Sequence, residues 1–179
     1  MATIALTTSP TLVSGASLPR FIALEPLYGL VGFYLVVEVQ NGVPYLTFSA
    51  GTKSRMVAHE VVYNANEAGM VMFRAPNGRF WQRNSSGHIV ADRETTPSSP
   101  TSDPTCYFKL FRTATGHLLF QSILDGKYLS SAIINSIPNS LHASASGISD
   151  LNAMIKDTSA VDFAVVLPRY VMFFGDNGM

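Results

Sequence analysis

Short apolar runs separated by Gly-, Asn- and Pro-rich turns dominate the chain, and few stretches carry helical spacing. The clearest pattern lies at residues 71–92. An apolar run (Val71, Met72, Phe73) meets a Pro76-Asn77-Gly78 turn, a second run opens on Phe80-Trp81, a polar loop follows (Asn84, Ser85, Ser86, Gly87), and a third run reads Ile89-Val90-Ala91. Asn-Gly between apolar runs is the strongest short hairpin signal, because both residues tolerate positive φ. Weaker copies of this order stand on either side. One starts at Phe21, passes through Phe33-Tyr34-Leu35 and continues over residues 46–50. The other starts at Leu118, turns at Asp125-Gly126-Lys127 and continues at Leu141-His142-Ala143. Each copy closes on a further apolar run, at residues 57–63, 106–111 and 161–166.

A unit of four short strands cannot bury its apolar face alone, so the three copies must share one core. Closure into a barrel leaves few open strand edges. The pattern therefore predicts an all-β protein, a β-trefoil of three four-stranded repeats around a closed barrel. Phe21, Leu35, Phe73, Trp81, Phe108, Leu119 and Leu129 are expected to face inward. One short helix is expected over residues 149–156, where Asp150 can cap and Leu151, Met154 and Ile155 share a face. Residues 95–105, rich in Pro, Ser and Thr, read as a surface loop within the second repeat.

Residues 1–17 hold no Lys, Arg, Asp or Glu and read as a flexible N-terminal arm, with the trefoil over 18–167. Leu18-Pro19-Arg20-Phe21 returns almost unchanged as Leu167-Pro168-Arg169-Tyr170, and an apolar strand and a turn follow it. Residues 168–179 thus read as the truncated start of a second trefoil-like domain. Its strand would lie on its own barrel or pair with another chain.

Composition narrows the partners. The 179 residues are 47% hydrophobic and only 13% charged, which suits a surface partly covered by a partner. Twelve basic and twelve acidic residues balance, with no Lys/Arg cluster, which argues against nucleic acid or an anionic membrane as the main ligand. No run approaches transmembrane length, so no membrane insertion is expected. A lone Cys106 excludes an intramolecular disulfide and reads as a small buried hydrophobe. With no basic, apolar leader at the start, a cytoplasmic or nuclear location is expected, and the Asn84-Ser85-Ser86 sequon is expected to go unused.

Catalytic motifs are lacking. His59-Glu60 opens an HExxH-like string, but Tyr63 stands in place of the second His. His59, His88, His117 and His142 have no ligand spacing, so no metal or cofactor is expected. No G-x-S-x-G elbow or phosphate loop occurs, so no enzymatic activity is expected. Sugar recognition needs an aromatic face and a few fixed amide or hydroxyl groups. Trp81 reads first as core, which leaves Asn84, Ser85, Ser86, Gly87 and His88 as the candidate carbohydrate-binding residues. The same five also read as a solvated hairpin loop.

The stretch FRAPNGRFWQRNSSGHIVADRETTPSSPTSDPTCYFKLFR resembles the agglutinin domain of amaranthin-like plant lectins. The matching features are an aromatic after N-G-[KR], an [IV]-x-A strand, a long polar loop and a C-x-F-[KE] closing strand at Cys106-Tyr107-Phe108-Lys109. The LPR[FY] starts and the stretch from Asn41 to Ala50 fit as well, and the resemblance covers roughly residues 18–167. It implies a non-catalytic plant β-trefoil lectin, associated with stress or defence, whose partners are glycans or glycoproteins. It further implies Galβ1-3GalNAc or N-acetylgalactosamine as ligand, bound at the junction of a head-to-tail homodimer. The family's sugar-contacting loop maps onto residues 84–88, where Gly87 and His88 stand in place of an aromatic pair. A homodimer could form through the trefoil surface or the 168–179 tail. The other class considered is a fascin-like protein-interaction scaffold that has lost sugar binding. A Kunitz-type inhibitor would carry disulfides and a secretory signal, and the Q-x-W repeat of ricin-B-type lectins does not occur.

Overall fold

A computed structural model describes residues 9–27, 29, 32–63, 66, 67, 69–134, 136–147 and 155–158. These residues form 13 strands, all paired antiparallel, and three short 3₁₀ turns. The strands are β1 (Thr11–Leu12), β2 (Phe21–Pro26), β3 (Tyr34–Gln40), β4 (Val43–Ala50), β5 (His59–Tyr63), β6 (Met70–Arg74), β7 (Phe80–Arg83), β8 (Ile89–Arg93), β9 (Phe108–Arg112), β10 (Leu118–Ser122), β11 (Tyr128–Ile134), β12 (Ile137–Ala145) and β13 (Ile155–Thr158).

The three repeats are β2–β5, β6–β9 and β10–β13. Their first and fourth strands pair in succession: β2 with β5, β5 with β6, β6 with β9, β9 with β10, β10 with β13, and β13 with β2. The second and third strands of each repeat make the hairpins β3–β4, β7–β8 and β11–β12. The hairpins meet one another through Tyr45 with Val90, Thr47 with Ser140, and a bridge between His88 and His142.

Turn chemistry sets the hairpins. Between β3 and β4, Asn41 and Gly42 both take positive φ (51° and 79°), as a two-residue turn matching strand twist requires. The Asn77-Gly78 turn differs from expectation, because only Gly78 has positive φ (82°). Asn77 is instead anchored by its side chain: its Oδ1 accepts from Arg79 N (3.1 Å) and its Nδ2 donates to the Ala91 carbonyl (2.9 Å).

Burial follows the two-residue period of a strand. Ile22 and Leu24, Val71 and Phe73, Phe108 and Leu110, and Leu118 and Phe120 all enter one central core with Leu35, Trp81 and Leu129. Of the residues between them, Ala23, Met72 and Leu119 belong to separate satellite clusters. Phe21 and Leu119, expected inside, are corrected on this ground. Phe21 is half-buried against Ala23, Val57 and Ala58, and Leu119 packs beside Ala145. In each strand the neighbouring residue holds the inward position, and a one-residue shift exchanges the faces.

The expected helix is not seen. Ile155 and Lys156 lie on β13, which pairs with β2 and also meets Leu118 of β10, and Ile155 is fully buried. Strand pairing and burial there outweigh the local helical spacing. Residues 148–154, the run at 161–166 and the 168–179 segment lie outside the described residues. At the other end, Thr11 and Leu12 of the expected arm pair with Arg112 and Phe111 of β9. Val13 N donates to the Leu110 carbonyl (2.8 Å), and its side chain joins the core. The 95–105 loop is surface structure fastened at Asp103, which accepts from Ser98 N and Oγ and pairs with Arg93. No helix among the described residues is long and apolar enough to cross a membrane.

Candidate functional site

The loop after β7 is built from its own backbone. Asn84 N donates to the His88 carbonyl (2.9 Å), and Gly87 N donates to the Asn84 carbonyl (3.0 Å). The Asn84 side chain closes the turn as well, its Oδ1 accepting from Ser86 N (3.1 Å) and His88 N (3.0 Å). Asn and Asp favour such loops because a short side-chain acceptor can stand in for a backbone one.

The third repeat holds the loop from below. Ala143 N donates to the Gly87 carbonyl (2.8 Å), and His142 Nε2–H donates to the Ser86 carbonyl (2.7 Å). That contact leaves His142 Nδ1 as the bare nitrogen of a neutral ring, and it is buried without a partner. His88 sits beside it, its Nδ1 3.1 Å from Ser140 Oγ and its Nε2 likewise buried and unpartnered. The two imidazoles meet edge to face, with centroids 4.7 Å apart, and Tyr45 of the first repeat closes on His88 at 5.1 Å. Burial lowers the pKa of both rings. The His142 charge lowers His88 further, and the Ser86 carbonyl works against the fall at His142.

The five expected residues therefore divide. Ser85 and Ser86 are exposed and Asn84 is half-buried, so three polar side chains meet solvent together. Gly87 and His88 lie beneath them, and His88 is only 2% exposed. Two further residues complete the surface. Arg83, at the end of β7, pairs with Asp125 in the β10–β11 turn at 2.8 Å. Asp125 Oδ1 also accepts from Lys127 N (3.2 Å), so its carboxylate is held in one place beside the loop. Sequence reasoning missed this pair because 42 residues separate the partners. Cys106 is buried, its thiol pKa raised by burial, as a small core hydrophobe should be.

The sequence matches no protein-family model and no curated protein. Solved structures do match the fold. A mosquitocidal holotoxin superposes with a TM-score of 0.61 at 10% identity, over 76% of this chain and 17% of that one. The designed threefold-symmetric protein ThreeFoil gives 0.61 at 11% identity, over 79% of this chain and 99% of that one. A Polyporus squamosus lectin, bound to the influenza-binding epitope Neu5Acα2-6Galβ1-4GlcNAc, gives 0.61 at 9% identity, over 79% and 49%. The likeness is one of fold. The fold is that of a β-trefoil.

In this β-trefoil the loop depends on Gly87. Its φ is +90°, and a Cβ there would stand 2.6 Å from Cε1 of the buried His142 ring. Gly87→Ala is therefore expected to destabilise the fold by more than about 1 kcal/mol, since strain and overlap act together. Urea denaturation followed by circular dichroism checks it, and an unchanged midpoint would show that the ring moves aside freely.

Proposed function

We propose that this β-trefoil is a non-catalytic carbohydrate-binding protein, a lectin, with Asn84, Ser85 and Ser86 in contact with the sugar. The observation that carries the reading is the built character of the loop. The backbone of Asn84, Ser86, Gly87 and His88 and the side-chain Oδ1 of Asn84 are committed to internal hydrogen bonds, while the Ser85 and Ser86 side chains face solvent beside a fixed Arg83–Asp125 pair. Hydroxyls and a carboxylate held in advance lose little entropy when a polyol replaces water. Gly87 and His88 serve from beneath, by shaping the loop. The fold likeness to a lectin supports the class, and the agglutinin-domain resemblance supports galactose- or N-acetylgalactosamine-type glycans of the Galβ1-3GalNAc kind.

A single shallow site of this type binds weakly, at about millimolar to micromolar Kd. Homodimerisation through the trefoil surface would raise avidity without new contacts. A cytoplasmic or nuclear location belongs to the same reading, with glycoproteins as partners.

A glycan array probed with multivalent protein tests this. Wild type is expected to retain Galβ1-3GalNAc-type glycans. A Ser85→Arg/Ser86→Arg double variant, which keeps every backbone bond of the loop, is expected to lose at least about tenfold in apparent affinity with its melting temperature unchanged, because two long cations fill the space of the sugar. Absence of all glycan binding by the clustered wild type would favour the protein-interaction scaffold instead.

A further inference from the structure

A second concave surface lies away from the 84–88 loop, between the 3₁₀ turn at Gly15–Ser17 and strand β5. It encloses about 430 Å³, with Leu18 and Val61 among its apolar walls, Tyr63 at one side, and Arg20 and Glu60 at the other. Gly15 lets the wall close up, since a Cβ there would stand 2.6 Å from Tyr63 Cβ. Tyr63 is 47% exposed, an aromatic face left open to solvent.

The charges here are unevenly matched. Glu60 alone serves two arginines: its Oε1 accepts from Arg20 Nε (3.0 Å) and Nη2 (2.9 Å), and its Oε2 from Arg74 Nε (2.7 Å) and Nη2. Both oxygens are thereby used, and the three side chains together keep one positive charge. A guanidinium has five N–H donors, and the Arg20 contacts with Glu60 take only its Nε edge. Its end-on edge, Nη1 with the second Nη2 hydrogen, meets no acceptor among the described residues. The Arg20 side chain is nevertheless 72% exposed and fixed on two sides, by Glu60 at the edge and by the Phe21 ring beneath it at 5.3 Å. A fixed, exposed fork of parallel donors matches the two oxygens of a carboxylate.

We propose that this groove binds an anionic saccharide unit, a pyranose bearing a carboxylate. Arg20 takes the carboxylate end-on, and Tyr63 covers the apolar face of the ring. Glu60, itself held by Arg74, positions Arg20. The proposal rests on the glycan-binding reading of the fold and gives it a second ligand class at a second place.

The test titrates the full chain with methyl β-D-glucuronide, methyl β-D-glucoside and sodium acetate, and follows backbone amide shifts by NMR. The glucuronide is expected to bind at least about tenfold tighter than either control, with shifts at residues 15–20 and 60–63. Arg20→Lys, which keeps the charge and loses the fork, is expected to weaken it about tenfold, and Tyr63→Ala to bring it down to the acetate level, both with unchanged melting temperature. Glucuronide no tighter than glucoside, or affinity unmoved by Arg20→Lys, overturns the proposal. Glucuronide no tighter than acetate reduces the groove to a simple anion site and overturns it too. The Ser85→Arg/Ser86→Arg variant separates the two readings. If neutral glycans are held through the loop and the glucuronide is not held at all, the groove falls and the lectin reading stands. If no sugar binds at either place, both fall.

Discussion

Trp81→Ala is expected to remove about 4 kcal/mol of stability, a large part of what a domain has. Trp81 is fully buried at the centre of the aromatic core. Its ring centroid lies 4.5 Å from that of Phe73, 6.1 Å from Phe108 and 6.3 Å from Phe120. Those partners come from β6, β9 and β10, two different repeats, so the indole joins units that cannot bury their faces alone. The loss also has a polar part. Trp81 Nε1–H donates to His59 Nδ1 at 3.1 Å, and truncation leaves that nitrogen buried and unpaired. Trp81→Phe separates the two parts, since it keeps most of the ring and loses the donor; a cost of about 1–2 kcal/mol is expected. Urea denaturation monitored by circular dichroism avoids relying on the fluorescence of the deleted indole. A midpoint for Trp81→Ala equal to that of Trp81→Phe would show that the shared aromatic core is not where the stability lies.

Much of this was legible in the chain. The repeat of apolar run, turn and apolar run gave three units of four strands, with β1 the unexpected addition, and Leu35, Phe73, Trp81, Phe108 and Leu129 took their expected places in the core. Face assignment failed where only one residue of phase decides it, at Phe21 and Leu119, because Ile22 beside Phe21, and Leu118 and Phe120 beside Leu119, are apolar too and alternation carries no signal. The helix expected over 149–156 failed for a different reason. Its spacing was a local preference, whereas Ile155 is claimed by β2 and β10, which lie far away in sequence. The loop at 84–88 was found from its polarity, and its hydrogen-bonded construction follows from Asn84. Its support was not legible. His142, Ser140, Tyr45 and Asp125 come from other repeats, and no spacing within the chain announces that they meet. The same holds for Arg20, Glu60 and Arg74, which sit on three separate segments and converge only when β2, β5 and β6 pair.

Acid is expected to weaken the fold through His59. The ring is fully buried, and its two partners dictate its state. Trp81 Nε1–H donates to Nδ1, so Nδ1 must be bare, and Nε2–H donates to the Leu35 carbonyl at 3.0 Å. The neutral ring is therefore satisfied at both nitrogens. Protonation would set an N–H on Nδ1 against the indole N–H. Burial pushes the His59 pKa down to about 4, against a smaller upward pull from the Leu35 carbonyl. Above pH 6.5 the ring is neutral both folded and unfolded, and its contribution is intact. Between pH 6.5 and about 4 the unfolded chain takes up a proton that the folded chain refuses, so stability falls with falling pH, by up to about 1.4 kcal/mol per unit and about 3 kcal/mol in all. Below about pH 4 the folded form is protonated as well, and this loss stops growing. His88 and His142, both lowered by burial, act in the same direction. His59→Gln isolates the effect, because an amide can offer one acceptor and one donor in the same place but does not titrate. Unfolding free energies from urea denaturation at pH 7, 6, 5 and 4 should fall more steeply for wild type than for His59→Gln, by up to about 1.4 kcal/mol per unit. Parallel profiles would mean that the folded protein admits a proton at His59, and that the Trp81–His59–Leu35 chain of hydrogen bonds does not fix its charge.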